Sequence, residues 1–315
     1  MDVTIVIVSY NVAKLLEECL ASIEKETSCD HEIIVVDNHS SDGSAEVAKA
    51  LHPEIALIKN PRNVGFARAN NQAFRMAKGR FVLMLNPDTR VLGGAIDRLV
   101  RFMDAHPEAG ACGPKNLNSD LSLQYNCHHF PSLTSVLVEF LQLRRFFPKN
   151  KFFGRAQMTY WTYDEIKTVD SITGCSLMIR REALERLGYL DERYFMYSEE
   201  TDFCYRLKRN NLKTLFYPGA SIIHYGGQSS LAQNYHRVHS RTITRHEFES
   251  RYYFFRKNYG PGHEFVLRIL DILYFSLSLL KNKVLFLKKD RQERTAFAEI
   301  VLGLALDFFG LSVVR

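Results

Sequence analysis

Neither G-x-G-x-x-G nor G-x-x-x-x-G-K-[ST] occurs at any predicted strand end of this 315-residue sequence. That disfavours a dinucleotide site of the common kind and a P-loop, so any phosphate must be held by other means. No C-x-x-C pair occurs among the six cysteines (Cys19, Cys29, Cys112, Cys127, Cys175, Cys204), so neither a zinc knuckle nor a disulfide framework is indicated. Free thiols in a reducing compartment are the expected state. The first residues, "MDVTIVIVSYN", lack a basic stretch ahead of an apolar core; the chain is therefore expected to start directly with a strand, in the cytoplasm. No sign of charge dominates. The net charge of +6 suits a polyanion, a phosphate-bearing ligand or an anionic membrane surface, and selects none of them.

What the sequence does have is regular alternation. With 46% hydrophobic and 24% charged residues the chain is globular, and it is long enough for one large core or two ordinary ones. Val3 to Ser9 reads as a strand, Val12 to Lys25 as a helix with an apolar stripe, and Glu32 to Asp37 as a second buried strand. A helix from about Ala45, a short strand near Ile55 to Lys59, a helix from about Phe66 to Ala77 and a strand Arg80 to Leu85 follow. This order predicts a doubly wound α/β sheet with right-handed crossovers.

The last of these strands runs five apolar residues into Asn86-Pro87-Asp88. Pro87 cannot donate to a ladder, so the strand ends at Leu85 and Asp88 emerges at the carboxyl edge of the sheet. There it is either a turn former or the anchor of a site. Ser9-Tyr10-Asn11 and Asp37-Asn38 end their strands on the same edge, which favours the site. A carboxylate acting through Mg²⁺ or Mn²⁺ is the obvious substitute for a phosphate loop. Asp37 could accept hydrogen bonds from a base or ribose, or cap the next turn.

A second acidic cluster lies in "YFMYSEETDFCYRLKRNN", where a helix opens at about Ser198 with Glu199, Glu200 and Asp202 in its first turn. Ser198 as N-cap and acids offsetting the macrodipole explain one or two of these carboxylates. Three beside Tyr194, Phe195 and Tyr197 invite a general-base reading, because partial desolvation raises a carboxylate pKa into a useful range. Glu199 and Asp202 are three apart and share a side of the helix; Glu200 points about 100° away. Further on, "TLFYPGASIIHYGGQSS" reads as two short strands and a turn, with His224 closing the second. A lone strand-end histidine is more often structural than a ligand.

Taken together, "VTIVIVSYN", "IIVVDNHSSDGS", "NPRNVGFARANNQAF", "GRFVLMLNPDT", "ITGCSLMIRREALERLGYLDERYFMYSEETDFCYRLKRN" and "IIHYGGQSS" resemble the inverting glycosyltransferases of family 2, especially the rhamnosyltransferase-like branch. The resemblance runs in order from residue 3 to about 258, including "SRYYFFRKNYG". It implies a GT-A fold, a Rossmann-like doubly wound mixed sheet, over 1–240, with a nucleotide-sugar half (1–115), an acceptor half (116–240) and a helical region at 241–315. Asn86-Pro87-Asp88 would be a variant of the family's D-x-D metal motif, with Asp88 the direct ligand and Asn86 a weaker neutral contact. The resemblance further implies that Ser9, Tyr10, Asp37 and Asn38 hold base and ribose, and that Gly65, Arg68 and Asn70 line the nucleotide side. It makes His224 a second metal ligand and Glu200 the general base, in place of an aspartate. The loop Gly226 to Gln233 would close over the donor. The implied reaction is a single displacement from a nucleotide-diphosphate sugar, dTDP-rhamnose or a UDP-sugar, to a glycan or lipid-linked acceptor in cell-surface polysaccharide synthesis. No nucleic-acid partner is expected. A nucleotidyltransferase and a non-catalytic sugar-nucleotide binder are the alternatives, and the first lacks its Gly- and Lys/Arg-rich loop where this chain has "SYNVAKLL".

From His263 to Val314 two apolar-rich helices flank "KNKVLFLKKDRQER". Their uncharged runs are too short for a span, and Glu299 and Asp307 interrupt the second. Two readings stay open. With Lys281, Lys283, Lys288, Lys289, Arg291 and Arg294 beside an apolar face, the helices could lie on the anionic inner face of the cytoplasmic membrane. Alternatively they pack on the catalytic domain or on a second subunit, as in a homodimer.

Overall fold

The protein is described here from a computed structural model covering residues 1–226, 241–284 and 291–311. The first half alternates as β1 (Val3–Ser9), α1 (Ala13–Glu26), β2 (His31–Asp37), α2 (Ser44–Leu51), β3 (Ala56–Lys59), α3 (Phe66–Phe74) and β4 (Phe81–Leu85). Then come β5 (Thr89–Leu92), α4 (Ala95–Ala105), β6 (Ala109–Leu117), β7 (Leu123–Gln124), β8 (Cys127–His128), α5 (Leu133–Phe140) and α6 (Leu143–Phe146). After these the chain forms β9 (Lys167–Val169), β10 (Ser171–Ile172), β11 (Ser176–Arg180), α7 (Arg181–Leu187), α8 (Glu199–Arg209) and β12 (Lys213–His224). Three further helices are α9 (Arg241–Tyr259), α10 (Pro261–Val284) and α11 (Arg291–Asp307).

The main sheet runs β3-β2-β1-β4-β11-β6-β12-β5. Strands β3, β2, β1 and β4 are parallel, whereas β11 is antiparallel to both β4 and β6, so the sheet is mixed. The apolar run of β4 explains itself by its two faces. Phe81, Leu83 and Leu85 enter one core with Leu16, Leu20 and Leu99, while Val82 and Met84 enter the opposite core with Phe74, Phe203 and Phe216. Helices therefore cover both faces, as a largely parallel sheet requires.

Two sequence expectations are corrected. Residues 213–224 form one strand, not two with a turn, and its register against β6 shifts between Tyr217 and Ser221. Pro218 and Gly219 bulge the strand instead of ending it, because the neighbours re-pair on either side of the one position that cannot donate. Helix α3 ends at Phe74, three residues early, where the chain tightens into turns with Met76 N–H on the Ala73 carbonyl. All six cysteines are free.

The C-terminal helices build a third core. Phe248, Tyr252, Phe254, Phe255, Leu267 and Phe275 pack together and enclose Tyr194 and Val136 from the preceding part of the chain. Among the described residues no helix is long and apolar enough to cross a membrane. Inside this bundle Asp271 Oδ2 accepts from Arg251 at 2.6 Å and Tyr252 Oη at 2.7 Å, while Oδ1 is buried without a hydrogen-bond partner among the described residues.

Candidate active site

Parallel register puts Ser9 directly opposite Asp37, so both strands deliver their last residues to one edge. Ser9 Oγ and Asp37 Oδ1 are buried and make no hydrogen bond among the described residues, while Asp37 Oδ2 accepts from the Ser40 N–H at 3.2 Å. Tyr10 is half-buried beside them. The loops that follow are clamped together: Asn11 N–H donates to Ser40 Oγ at 3.0 Å, and Asn11 Oδ1 accepts from Ser41 N–H at 2.8 Å. Asn11 (φ 54°) and His39 (φ 77°) both adopt left-handed backbone to allow this.

Asn38 and Asn70 are engaged internally. Asn38 donates to Asn63 Oδ1 and accepts from Asn60 Nδ2 and the Val64 N–H, which fixes the loop leading into α3. Asn70 Nδ2 turns back onto the Phe66 carbonyl at 2.9 Å. Arg68 is exposed and faces Glu192 at 3.4 Å. Gly65 (φ 88°) sits where a Cβ would lie 2.6 Å from the Phe195 carbonyl oxygen, so only glycine permits that approach. The same carbonyl accepts from Phe66 N–H at 2.6 Å, joining the entry of α3 to the segment before α8.

At the end of β4 the Asn86 N–H donates to the Cys175 carbonyl at 2.9 Å, and Asp88 is buried. Pairing of β12 with β5 sets His224 opposite Thr89, and His224 Nε2 lies 3.4 Å from Asp88 Oδ1, an electrostatic contact longer than a good hydrogen bond. His224 Nδ1 is held by Gln124 Oε1 at 2.7 Å, and Gln124 Nε2 donates to the His224 carbonyl at 3.0 Å. Burial opposes charge on this imidazole while Cys175 and Asp88 favour it and raise its pKa, so a cation bound beside Asp88 would have to displace the Nε2 proton. A carboxylate and an imidazole whose far nitrogen is already fixed make a donor set that fits Mg²⁺ or Mn²⁺ completed by diphosphate and water. Among the described residues no cluster of three or more His, Cys, Asp or Glu forms a metal cage, so the ligands beyond these two would come from elsewhere.

Helix α8 begins from strained backbone. Tyr197 (φ 70°) and Ser198 (φ 67°) are consecutive left-handed residues, and the Ser198 side chain caps nothing, contrary to the sequence expectation. After the left-handed turn Glu199 is buried and Glu200 half-buried. Oε2 of each is buried without a hydrogen-bond partner among the described residues. Burial raises both carboxyls, and the charge of Glu200 raises Glu199 further. Asp202 is differently placed: it is fully buried and accepts from Arg206 at 3.1 Å, Lys257 at 2.7 Å, Tyr194 Oη at 3.2 Å and Asn258 at 3.1 Å. Its lone pairs are already committed.

Gly174 and Cys175 connect the acidic helix to the strand-end site. A Cβ on Gly174 would lie 3.5 Å from Cβ and Cγ of Glu200 and 3.2 Å from Met84 Cε. The next residue, Cys175, binds the Asn86 N–H through its carbonyl and accepts at Sγ from Asn116 Nδ2 at 3.0 Å. Two residues thus separate the Glu200 side chain from the Asn86 to Asp88 segment. Sequence reasoning assigned no role to either, although the glycine ahead of a buried strand in "ITGCSLMIR" was a usable signal. Gln124, a hundred residues from His224, offered none.

Residues 4–188 match the sequence model described as glycosyl transferase family 2. The chain belongs to that family. It is 29% identical over 237 residues to N-acetylglucosaminyl-diphospho-decaprenol L-rhamnosyltransferase of Mycobacterium tuberculosis, covering 72% of this chain and 76% of the relative. It is 25% identical over 305 residues to dTDP-rhamnosyl transferase RfbF of Shigella flexneri, covering 90% and 91%. Among solved structures, GalNAc-T7 with UDP, GalNAc and Mn²⁺ superposes with a TM-score of 0.54 at 16% identity, over 83% of this chain and 51% of that one. The chain spans about half the length of that protein, and the likeness concerns the fold. This family 2 glycosyltransferase therefore has the GT-A fold, with added C-terminal helices.

Proposed function

We propose that the protein transfers a sugar, with inversion, from a nucleotide-diphosphate donor to a hydroxyl of a glycan or lipid-linked acceptor in cell-surface polysaccharide synthesis. The observation that carries this is the half-buried Glu200, its Oε2 enclosed with no hydrogen-bond partner among the described residues, one Gly174–Cys175 step from the Asn86 to Asp88 strand end. Rhamnose as donor sugar, on dTDP, is supported by the similarity to RfbF, and a lipid-linked acceptor at the inner face of the cytoplasmic membrane by the similarity to the decaprenol enzyme. Ser9, Tyr10 and Asp37 contact the nucleoside. Asn38 and Asn70 shape its pocket through the loop and helix they fix, with Gly65 admitting close backbone approach and Arg68 at the rim.

In the reaction Glu200 takes the proton of the acceptor hydroxyl, and the acceptor oxygen forms its bond to the anomeric carbon from the face opposite the diphosphate. The bond from that carbon to the phosphate oxygen breaks, and its electron pair leaves on the nucleotide diphosphate. Asp88 and His224, with Asn86 as a neutral contact, would hold a divalent cation that offsets the charge of the leaving group. Of the proposed lid, 227–233 lies outside the described residues. The test is incubation of the full chain with dTDP-rhamnose and UDP-sugars, with and without Mn²⁺, followed by mass spectrometry of products and NMR of the new linkage. Inverted product with released nucleotide diphosphate is expected. Donor that is bound but left intact with every acceptor overturns the catalytic reading.

A further inference from the structure

We propose that α5, the segment 141–155 and the outward stripe of α10 form one continuous face that docks on an anionic phospholipid bilayer; this identifies the surface behind the membrane-side acceptor proposed above, and rests on that reading.

Leu141, Phe146, Phe147 and Phe152 are each more than half exposed, an unusual concentration of large apolar side chains at a loop. On α10, Leu273, Leu277 and Leu280 are also more than half exposed and follow i, i+4, i+7 spacing, so they form one stripe. The Phe140 ring joins the two, stacking on Tyr274 at 4.1 Å, so that the end of α5 abuts α10 beside that stripe.

Charge decides what covers this face. Over α5 and 141–155 the sequence holds one acidic residue, the exposed Glu139, against the five cations Arg144, Arg145, Lys149, Lys151 and Arg155. The last four are exposed, and Lys281 extends the same sign at the end of the α10 stripe. Apolar anchors interleaved with cations match an anionic lipid surface, where tails take the rings and headgroups take the charges. A twofold interface between copies fits less well, because an isologous contact sets the same basic stretch against itself.

The test uses the full chain and vesicles free of acceptor lipid, made of phosphatidylcholine alone or of an equal mixture with phosphatidylglycerol, in a sedimentation assay. Binding to the anionic vesicles, lost at high salt, is expected. The double variant Lys149→Glu/Lys151→Glu should weaken it by at least about 25-fold, taking about 5-fold per removed cation near the surface. Phe146→Ser/Phe147→Ser should weaken it as well. Both variants alter exposed residues, and both should keep parental transfer to a soluble acceptor. Equal retention on both vesicle types, or parental binding by the variants, overturns the proposal. So does a stable dimer in solution that Phe146→Ser/Phe147→Ser dissociates. Because the vesicles carry no acceptor, failure here leaves the transfer reading standing, and vesicle binding without transfer to any acceptor overturns only that reading.

Discussion

Glu200→Gln separates a catalytic role from a structural one in a single variant. Gln keeps the shape and the helix preference of Glu and removes only the proton acceptor. Loss of a general base lowers turnover by about 10²- to 10⁴-fold, or about 3 to 5 kcal/mol of barrier. The structure also fixes the sign of the stability change. Burial raises the Glu200 carboxyl above its unfolded value, so ionising it in the folded protein costs stability at neutral pH, and the amide removes that cost. The melting temperature should therefore hold or rise while kcat collapses. A structural residue would lose both. In the parent, kcat/KM should rise with pH through the raised pKa. The assay is released nucleotide diphosphate across pH, next to donor binding by calorimetry and thermal melting. Parental turnover by Glu200→Gln, or an Asp202→Asn variant that is dead yet folded and donor-binding, refutes the assignment.

Asp88→Ala should abolish metal-dependent transfer with the melting curve retained, and His224→Ala should weaken Mn²⁺ affinity by roughly 10- to 100-fold in a calorimetric titration; an unchanged titration returns His224 to a structural role. Asp202→Asn should destabilise the fold by about 3–5 kcal/mol in denaturant unfolding, because it leaves Arg206 and Lys257 facing an uncharged partner inside the protein. Acid should unfold the parent partly through Asp170. Its burial would raise the carboxyl, but hydrogen bonds from His129 and Lys208 hold it at about 2, against 3.8 ordinarily. Because the folded value is depressed, the stabilisation is present above about 4 and is lost as pH falls toward about 2. Asp170→Asn should flatten the unfolding free energy across that window; an equally steep curve would show that other groups carry the acid sensitivity.

The strand ends were legible because their cause is local. Five apolar residues followed by Pro87 can only be a buried strand that stops, and period-two alternation then fills both cores from β4. The parallel order put Ser9, Asp37 and Asp88 on one edge before any contact was known. What sequence could not reach depends on distant pairing. Nothing near His224 announces Gln124, and nothing near Asp202 announces Lys257 and Asn258, which make that carboxylate a structural hub instead of a competitor for the base. Ser198 failed as a cap for the same reason. Its backbone obeys the tertiary demand to turn Glu199 and Glu200 inward, not the local preference for an extended N-cap.

That demand also explains why α9 lies against the site. Two consecutive left-handed residues other than glycine cost of order 1–3 kcal/mol each and persist only where the surroundings over-determine them. At Tyr197 and Ser198 the surroundings are supplied from both directions. Gly65 and Phe66 press on Phe195 from the α3 side, through the 2.6 Å bond from the Phe66 N–H to the Phe195 carbonyl. From the other side, His246 stacks on the Phe195 ring at 4.2 Å, Ser250 Oγ donates to the Met196 carbonyl at 2.8 Å, and Lys257 and Asn258 hold Asp202 in the first turn of α8. Helix α9 therefore braces the turn that sets the angle of Glu200. The same turn touches the α3 entry through Phe195, so Glu200 and the loop entering α3 share one strained segment, and a shift in either has a direct mechanical route to the other.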